Sequence, residues 1–146
     1  MTSTALRASQ LSRYNDDAVL SAPPARLLTM LYDRLLLDLN RAQFAQENAN
    51  WEAASENLLH AQAIVTELSS TLKTDAWDGA PGLLTIYQYA MEAMIGANIY
   101  RDLNRTKECI ALLEPLRQGW HDAASQLPVQ ATVSATIRAN GMLGVG

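Results

Sequence analysis

Residues Tyr14 to Asp33 read Y-N-D-D-A-V-L-S-A-P-P-A-R-L-L-T-M-L-Y-D, and this stretch decides the fold class. It passes from a polar arm through two consecutive prolines into a strongly apolar segment. Pro24 has the fixed φ angle and the missing N–H that suit the first position of a helix. The stretch therefore predicts a first helix from Pro24 to about Ala45, preceded by an N-terminal arm over residues 1–23.

Three further segments repeat apolar residues with the spacing of helices, and none alternates with the period of two that strands show. Asn50 is a suitable N-cap for the second helix, and Pro81 suits the first turn of the third. A fourth helix is predicted from about Asn104 to Leu127. Four helices with short connections predict an all-α, antiparallel, up-and-down four-helix bundle over residues 24–127. The predicted core stripe of the first helix is Leu28, Leu31, Leu35, Leu39 and Ala42, and that of the second is Trp51, Ala54, Leu58, Ala61, Val65, Leu68 and Leu72. The stripe of the third helix is Leu83, Tyr87, Ala90, Met94 and Ala97, and that of the fourth is Ile110, Leu113, Leu116, Trp120, Ala124 and Leu127.

The C-terminal part of the chain contains two complications. Pro115 removes one backbone hydrogen bond inside the fourth helix, so we expect a kink at Ala111 to Pro115. Residues 128–146 include three spaced glycines and are predicted to form a loosely held tail. Val129, Val133 and Ile137 recur every four residues, which leaves a marginal fifth helix as the alternative to a frayed end.

Composition limits the class of partner. The chain has 146 residues, the size of one domain, and its net charge of -4 with a pI near 5.0 disfavours nucleic acid. Cys109 is the only cysteine and lies in an apolar helical pattern, so a buried thiol is predicted. The first sixteen residues contain no continuous apolar region, and no segment approaches the length that spans a bilayer. We therefore expect a cytoplasmic protein without membrane insertion.

The first helix has a second apolar face. Met30, Leu37 and Phe44 lie on one line, roughly opposite the core stripe. Charged and polar residues border this line, namely Arg26, Asp33 and Asn40 on one side and Arg34 and Arg41 on the other. The pattern predicts a groove for an apolar partner. The N-terminal arm, which contains Leu6, Leu11 and Tyr14, is the predicted internal cover of this groove. The alternative is that the first helix is buried on both sides.

The sequence contains little that indicates a catalytic or metal-binding site. His60 follows Glu56 by four residues, whereas di-iron bundles use paired Glu-x-x-His motifs with further glutamates. His60 is better explained as a partly exposed neighbour of the second helix seam. Phosphate loops, nucleophile elbows and Cys/His clusters are absent from the sequence. We expect no enzyme activity, no cofactor and no metal.

Several aromatic and polar residues have two interpretations. Tyr87 and Tyr89 point in nearly opposite directions from the third helix, so Tyr87 is assigned to the core and Tyr89 to partner contact. Trp120 fits core packing better than an interface hot spot. Asn98 is interpreted as a hydrogen-bonded structural residue. Asp33 either pairs with an arginine or helps to cap the groove, and the sequence does not separate these roles.

The order of motifs along the chain resembles the flagellar secretion chaperone family FliS. The resemblance rests on Tyr14, Val19, Ser21-Ala22-Pro23-Pro24, Met30-Leu31-Tyr32-Asp33, Leu72, Ile86-Tyr87-Gln88-Tyr89, Ala97-Asn98 and Leu116-Arg117-Gln118-Gly119-Trp120. The chain departs from the family at Pro23, where a serine is usual, at Arg34, where a glycine often follows Tyr-Asp, in the rewritten segment Lys73 to Asp78, and at Pro115.

The resemblance implies a cytoplasmic bundle that binds the C-terminal segment of flagellin, prevents its early polymerisation and delivers it to the flagellar export gate. Leu11 and Tyr14 match family positions linked to pocket capping and partner binding. The predicted partner-binding residues are Leu11, Tyr14, Met30, Asp33, Leu37, Phe44 and Tyr89. A monomer or weak homodimer is expected, and the competing hypothesis is a homo-oligomeric structural bundle that buries the extra face against another copy.

Overall fold

The computed structural model describes the backbone of residues 24–145 and the side chains of residues 25–126. The described backbone forms four α-helices: α1 (Pro24–Glu47), α2 (Trp51–Thr71), α3 (Ala80–Ile99) and α4 (Leu103–Val145). This part of the chain contains no strand. The predicted all-α fold class is confirmed.

The helix boundaries follow from local chemistry. The side chain of Asn50 accepts a hydrogen bond from the backbone N–H of Ala53 at 3.2 Å, which satisfies one free donor of α2 and confirms the predicted N-cap. Pro81 lies in the first turn of α3, also as predicted. Ala49 and Arg101 adopt positive φ angles of 54° and 52°, and both lie in the short connections where the chain reverses direction.

The chain forms two units, one of residues 31–118 and one of residues 1–30 and 119–146. All four helices contribute to the first unit. There, α1 and α4 are antiparallel, because Asp33 pairs with Arg117 near one end and Gln46 bonds to Thr106 near the other. α1 and α3 run in the same direction, since Tyr32 contacts Tyr87 and Gln46 contacts Ala97. These contacts confirm the up-and-down bundle.

The core of the first unit contains the predicted α3 stripe and most of the predicted α2 stripe, whose end positions Trp51 and Leu72 are only half-buried. Ala54, Leu58, Ala61, Val65 and Leu68 are buried on α2, and every predicted α3 position is buried. Tyr87 is therefore a core residue, as the sequence predicts. On α1, the predicted Leu35, Leu39 and Ala42 are buried, whereas Leu28 and Leu31 are only half-buried.

The predicted inward face of α4 needs correction. Leu113 is buried, but Ile110, Leu116, Trp120 and Ala124 are half-buried. The buried positions of α4 are instead Thr106, Cys109 and Leu113. A polar residue enters this core because the Thr106 hydroxyl donates to the side chain of Gln46 at 2.6 Å, which removes the cost of burying it unpaired. Leu127 lies outside the described side chains.

α4 also extends beyond its predicted end at Leu127 and continues to Val145. The four-residue recurrence of Val129, Val133 and Ile137 agrees with this continuation, and a helix satisfies its backbone groups within the segment. The kink before Pro115 and the loose attachment of residues 128–146 stay predictions. None of the helices, over the residues described, has both the length and the apolar character needed to cross a bilayer.

Candidate partner-binding surface

The second apolar face of α1 is exposed. Leu37 is 40% exposed and Phe44 is 69% exposed, and Met30, one residue before the first unit, is 42% exposed. Their spacing of seven residues keeps them on one side of a continuous helix. We call Leu37 and Phe44, which both lie in the first unit, the α1 outer surface. Among the described residues, the alternative that α1 is buried on both sides does not hold.

One border of the α1 outer surface is anchored by a buried carboxylate. Asp38 is fully buried, yet it forms an ion pair with Arg34, whose Nε lies 3.1 Å from Asp38 Oδ1, and it bonds to His60 Nδ1 on α2. A buried carboxylate requires such partners to offset the loss of water. His60 thus links α2 to α1, and the arginine at this border is held on the outside of the bundle.

At the other border Asp33 pairs with an arginine, which is one of the two roles that the sequence left open. Arg117 Nη1 on α4 lies 2.8 Å from Asp33 Oδ1, and the same guanidinium bonds to Glu114. The hydrogen bond from Arg117 is the main reason that the pKa of Glu114 is lowered, and the bond to Glu114 in turn raises the pKa of Arg117. Asp33 therefore joins α1 to α4, which confirms its pairing and leaves its predicted contact with a partner as a proposal.

Tyr89 lies apart from the α1 outer surface. It is 50% exposed, donates a hydrogen bond to Glu108 on α4, and lines a cavity of about 370 Å³ with Glu92, Ala93 and Arg105. α1 contributes no residue to this lining. Within the first unit, the structure thus places Leu37 and Phe44 on one helix face and Tyr89 elsewhere, and Met30 belongs to the other unit. Leu11 and Tyr14, the remaining predicted contacts, lie outside the described residues.

Sequence reasoning missed three features of the first unit. Asp38 is a buried charge, Gln46 is a buried amide, and α2 and α3 carry exposed apolar residues of their own. Leu59, Ile95 and Ile99 fall off the predicted seams, and this offset in the helical period was the available signal. The polar burials have no such signal, because their partners come from other helices.

The single cysteine does not have a reactive thiol. Cys109 is buried, and this burial raises the pKa of its thiol to about 12, with Glu108 adding to the effect. Such a thiol is a poor nucleophile because nucleophilic attack requires the thiolate. Within residues 25–126, no group of three His, Cys, Asp or Glu side chains could hold a metal ion. An all-α bundle with an exposed apolar helix face defines a protein-binding class.

Comparison with known proteins defines this class further. The family model for the flagellar protein FliS matches residues 7–127, and the chain belongs to this family. It is 31% identical over 110 residues to the flagellar secretion chaperone FliS of Bacillus subtilis (strain 168), covering 75% of this chain and 82% of that protein. The flagellar secretion chaperone FliS of Escherichia coli (strain K12) is 27% identical over 110 residues, covering 74% and 81%.

A solved structure supports the fold. The crystal structure of a flagellar chaperone from bacteria matches with a TM-score of 0.65 at 16% identity, covering 82% of this chain and 98% of that chain. The resemblance found in the sequence is confirmed, and membership supports a role as a flagellar export chaperone. FliS is a chaperone family and not an enzyme family.

Proposed function

We propose that this protein is a cytosolic export chaperone that binds the disordered C-terminal segment of flagellin. It keeps flagellin from polymerising early and delivers it to the flagellar export gate. The observation that carries the proposal is the α1 outer surface, two large apolar residues exposed two turns apart on a member of the FliS family.

The α1 outer surface has the pattern that an amphipathic helix recognises. Leu37 and Phe44 lie two turns apart, so a docking helix would cover both with apolar residues at matching spacing. Arg34 and Arg41 are exposed along one border and would favour a client with acidic residues beside its apolar stripe. The client loses conformational freedom on docking, and burial of its apolar face offsets that loss.

The N-terminal arm has a place in this proposal. We propose that Leu11 and Tyr14 cover the α1 outer surface when no client is bound and move aside when flagellin docks. A cover that contains few apolar residues is displaced by a client that buries more apolar area. Removal of residues 1–16 should therefore strengthen client binding.

Calorimetric titration of the full chain with the C-terminal segment of flagellin tests the proposal. Wild type should bind near one to one with a negative heat-capacity change. Leu37→Asp with Phe44→Asp should weaken binding by about 100-fold or more, because each aspartate would be buried against apolar groups of the client. The matched control is Thr66→Asp with Thr85→Asp, which adds the same charge at exposed positions of α2 and α3 and should bind as wild type does.

Two results would contradict the proposal. Absence of binding by well-folded wild type would remove flagellin as the client. Equal weakening in the control variant would show that added charge, and not the α1 outer surface, governs binding. If sedimentation instead found a strong dimer that Leu37→Asp with Phe44→Asp dissociates, the homo-oligomeric hypothesis would take precedence.

A further inference from the structure

A second exposed apolar surface lies on α2 and α3. Leu59 is 54% exposed, Ile95 is 40% exposed and Ile99 is 66% exposed. Ile95 and Ile99 are one turn apart and therefore share a face of α3. We call Leu59, Ile95 and Ile99 the α2–α3 surface.

A cavity connects the two helices at one end of this surface. It has a volume of about 270 Å³, and its lining includes Ser55 from α2 and Ile99 from α3. The two helices are consecutive and antiparallel, so one turn onward from Ser55 and one turn back from Ile99 lead to Leu59 and Ile95. The three exposed apolar residues thus follow the seam between α2 and α3 and end at a cavity that can receive a side chain.

The charges on the α2 side of the α2–α3 surface are acidic. Glu52 and Glu56 precede Leu59 by seven and three residues, so both lie beside an apolar residue of the surface. On α3, Glu92 precedes Ile95 by three residues, but it shares a cavity with Arg105 of α4. All three are exposed, and none forms an ion pair with another described residue. α2 and α3 contain no lysine or arginine at all.

The chain's negative charge is concentrated in this region. Between residues 51 and 99 there are six carboxylates and one lysine, an excess larger than the chain's net charge of -4. Arg101 follows α3, but its guanidinium lies over the ring of Trp51, 5.0 Å from the centroid, at the end of the cavity. Beyond the cavity, the charged residues that α2 and α3 themselves supply are glutamates, and Arg105 of α4 lies against Gly96 on the α4 side of α3.

We propose that the α2–α3 surface binds an amphipathic helix that carries lysine or arginine beside its apolar stripe, supplied by a protein partner other than the flagellin client. Complementary charge makes a basic helix the favoured occupant and repels an acidic one. The α1 outer surface, with its exposed Arg34 and Arg41, has the opposite preference. The two surfaces therefore select different partners and can be occupied together.

A second copy of this chain fits the α2–α3 surface poorly. A two-fold interface places the same patch on both sides, so the acidic border of Glu52 and Glu56 would face a second acidic border. Like charges brought together in this way oppose association. The charge pattern thus favours a partner of different sequence.

The test uses fluorescence anisotropy with two labelled synthetic helices and the full chain carrying Leu37→Asp with Phe44→Asp, which removes the α1 outer surface as a competing site. One peptide has a leucine stripe flanked by lysines, and the other has the same stripe flanked by glutamates. The lysine peptide should bind at least about tenfold more tightly, and its affinity should fall as salt is added. Equal binding of the two peptides, or tighter binding of the glutamate peptide, would overturn the proposal.

Charge-reversal variants locate the site. Glu52→Lys with Glu56→Lys should weaken binding of the lysine peptide about tenfold, since two attractions become repulsions. The matched control is Glu47→Lys with Asp122→Lys, which changes the net charge equally at exposed positions outside the α2–α3 surface and should leave binding within about twofold of wild type. Equal weakening in both variants would assign the effect to net charge and overturn the proposal.

A neutral variant separates the apolar contribution, and its fold can be checked by circular dichroism. Leu59→Ser with Ile95→Ser should lower affinity for the lysine peptide without changing the salt dependence. Unchanged affinity would contradict docking at this surface. Sedimentation of the wild-type chain should show no dimer. A wild-type dimer that dissociates in this variant would assign the α2–α3 surface to a second copy of the chain and would overturn the proposal. Titrating the same variants with the flagellin segment measures binding at the α1 outer surface independently. Failure of the flagellin proposal and failure of the α2–α3 proposal can therefore be told apart.

Discussion

The hydroxyl oxygens of Tyr32 and Tyr87 lie 2.6 Å apart in the core and join α1 to α3. The two rings are tilted, with centroids 6.5 Å apart, and both side chains are almost completely buried. Burial, followed by the hydrogen bond with Tyr32, raises the pKa of Tyr87 far above its usual range. Two helices that are not consecutive in sequence are thus connected by a pair of polar groups in an apolar interior.

Removing one hydroxyl of this pair should destabilise the bundle. Tyr32→Phe or Tyr87→Phe alone should lower the free energy of unfolding by about 1–2 kcal/mol, because the remaining hydroxyl loses a buried partner. The double variant should cost less than the sum of the single variants. Urea unfolding of all four proteins measures the coupling, and strict additivity would show that the two hydroxyls act independently.

Gln46 should be among the most sensitive polar positions. Its amide donates to the backbone carbonyl of Ala97 at 3.2 Å and accepts from the Thr106 hydroxyl at 2.6 Å, so one side chain satisfies groups on two other helices. Gln46→Leu has a similar size but bonds to neither, and we expect a loss of about 2 kcal/mol or more in urea unfolding. The control Gln43→Leu, at a half-buried position on the same helix, should cost less than about 0.5 kcal/mol.

Cys109 should resist alkylation in the native state. Its thiol pKa is raised from 9.0 to about 12, so at pH 8 the native chain has about a thousandfold less thiolate than the unfolded chain. Labelling with iodoacetamide should be slow natively and fast in urea, and mass spectrometry reads it without ambiguity because the chain has one cysteine. Fast native labelling would show that α4 opens away from α3.

The same raised pKa makes stability depend on pH on the alkaline side. The folded state favours the neutral thiol, whereas the thiol of the unfolded chain ionises near pH 9. The contribution of Cys109 to the free energy of unfolding is therefore complete below pH 9 and declines as pH rises from 9 towards 12. Cys109→Ala should remove this part of the alkaline slope. An unchanged slope in the variant would assign it to Tyr87, whose pKa is also raised.

The Asp33–Arg117 pair should matter little for stability. Both side chains are partly exposed, so Arg117→Met should cost under about 1 kcal/mol at pH 7. Arg117 lowers the pKa of Glu114, so the pair of Arg117 with Glu114 stabilises the folded state fully above pH 4.5, the ordinary pKa of a glutamate. That stabilisation is lost as pH falls through the lowered pKa of Glu114. The difference between wild type and variant in thermal unfolding should therefore shrink in acid. A large or pH-independent difference would contradict a solvated pair.

The sequence predicted the helices well because local chemistry sets their boundaries. Pro24, Asn50 and Pro81 act through their own backbone geometry or side chains, and no distant residue is needed for that effect. The α2 and α3 stripes were also predictable, since burial of one face leaves a period that can be read along the chain. The α4 stripe was predicted less well, because Thr106 is polar and its partner Gln46 is sixty residues away.

The candidate site shows the same division. The spacing of Met30, Leu37 and Phe44 identified a second apolar face on α1, and their exposure agrees with it. Tyr89 was grouped with them on the strength of the sequence, whereas the structure places it beside Glu108 on the α3–α4 side of the bundle. Helical periodicity gives the direction in which a side chain points from its own helix but not which helix lies in that direction.

The sequence by itself determined the helical class, the position of the helices, the α1 outer surface and the family, because each depends on residue types at fixed separations along the chain. Only the tertiary structure decided that Asp38 is buried against Arg34 and His60, that Gln46 serves two helices, and that Leu59, Ile95 and Ile99 follow an acidic seam between α2 and α3. These features depend on which side chains of different helices meet, and a polar side chain is stable in the core only where another helix supplies its partner.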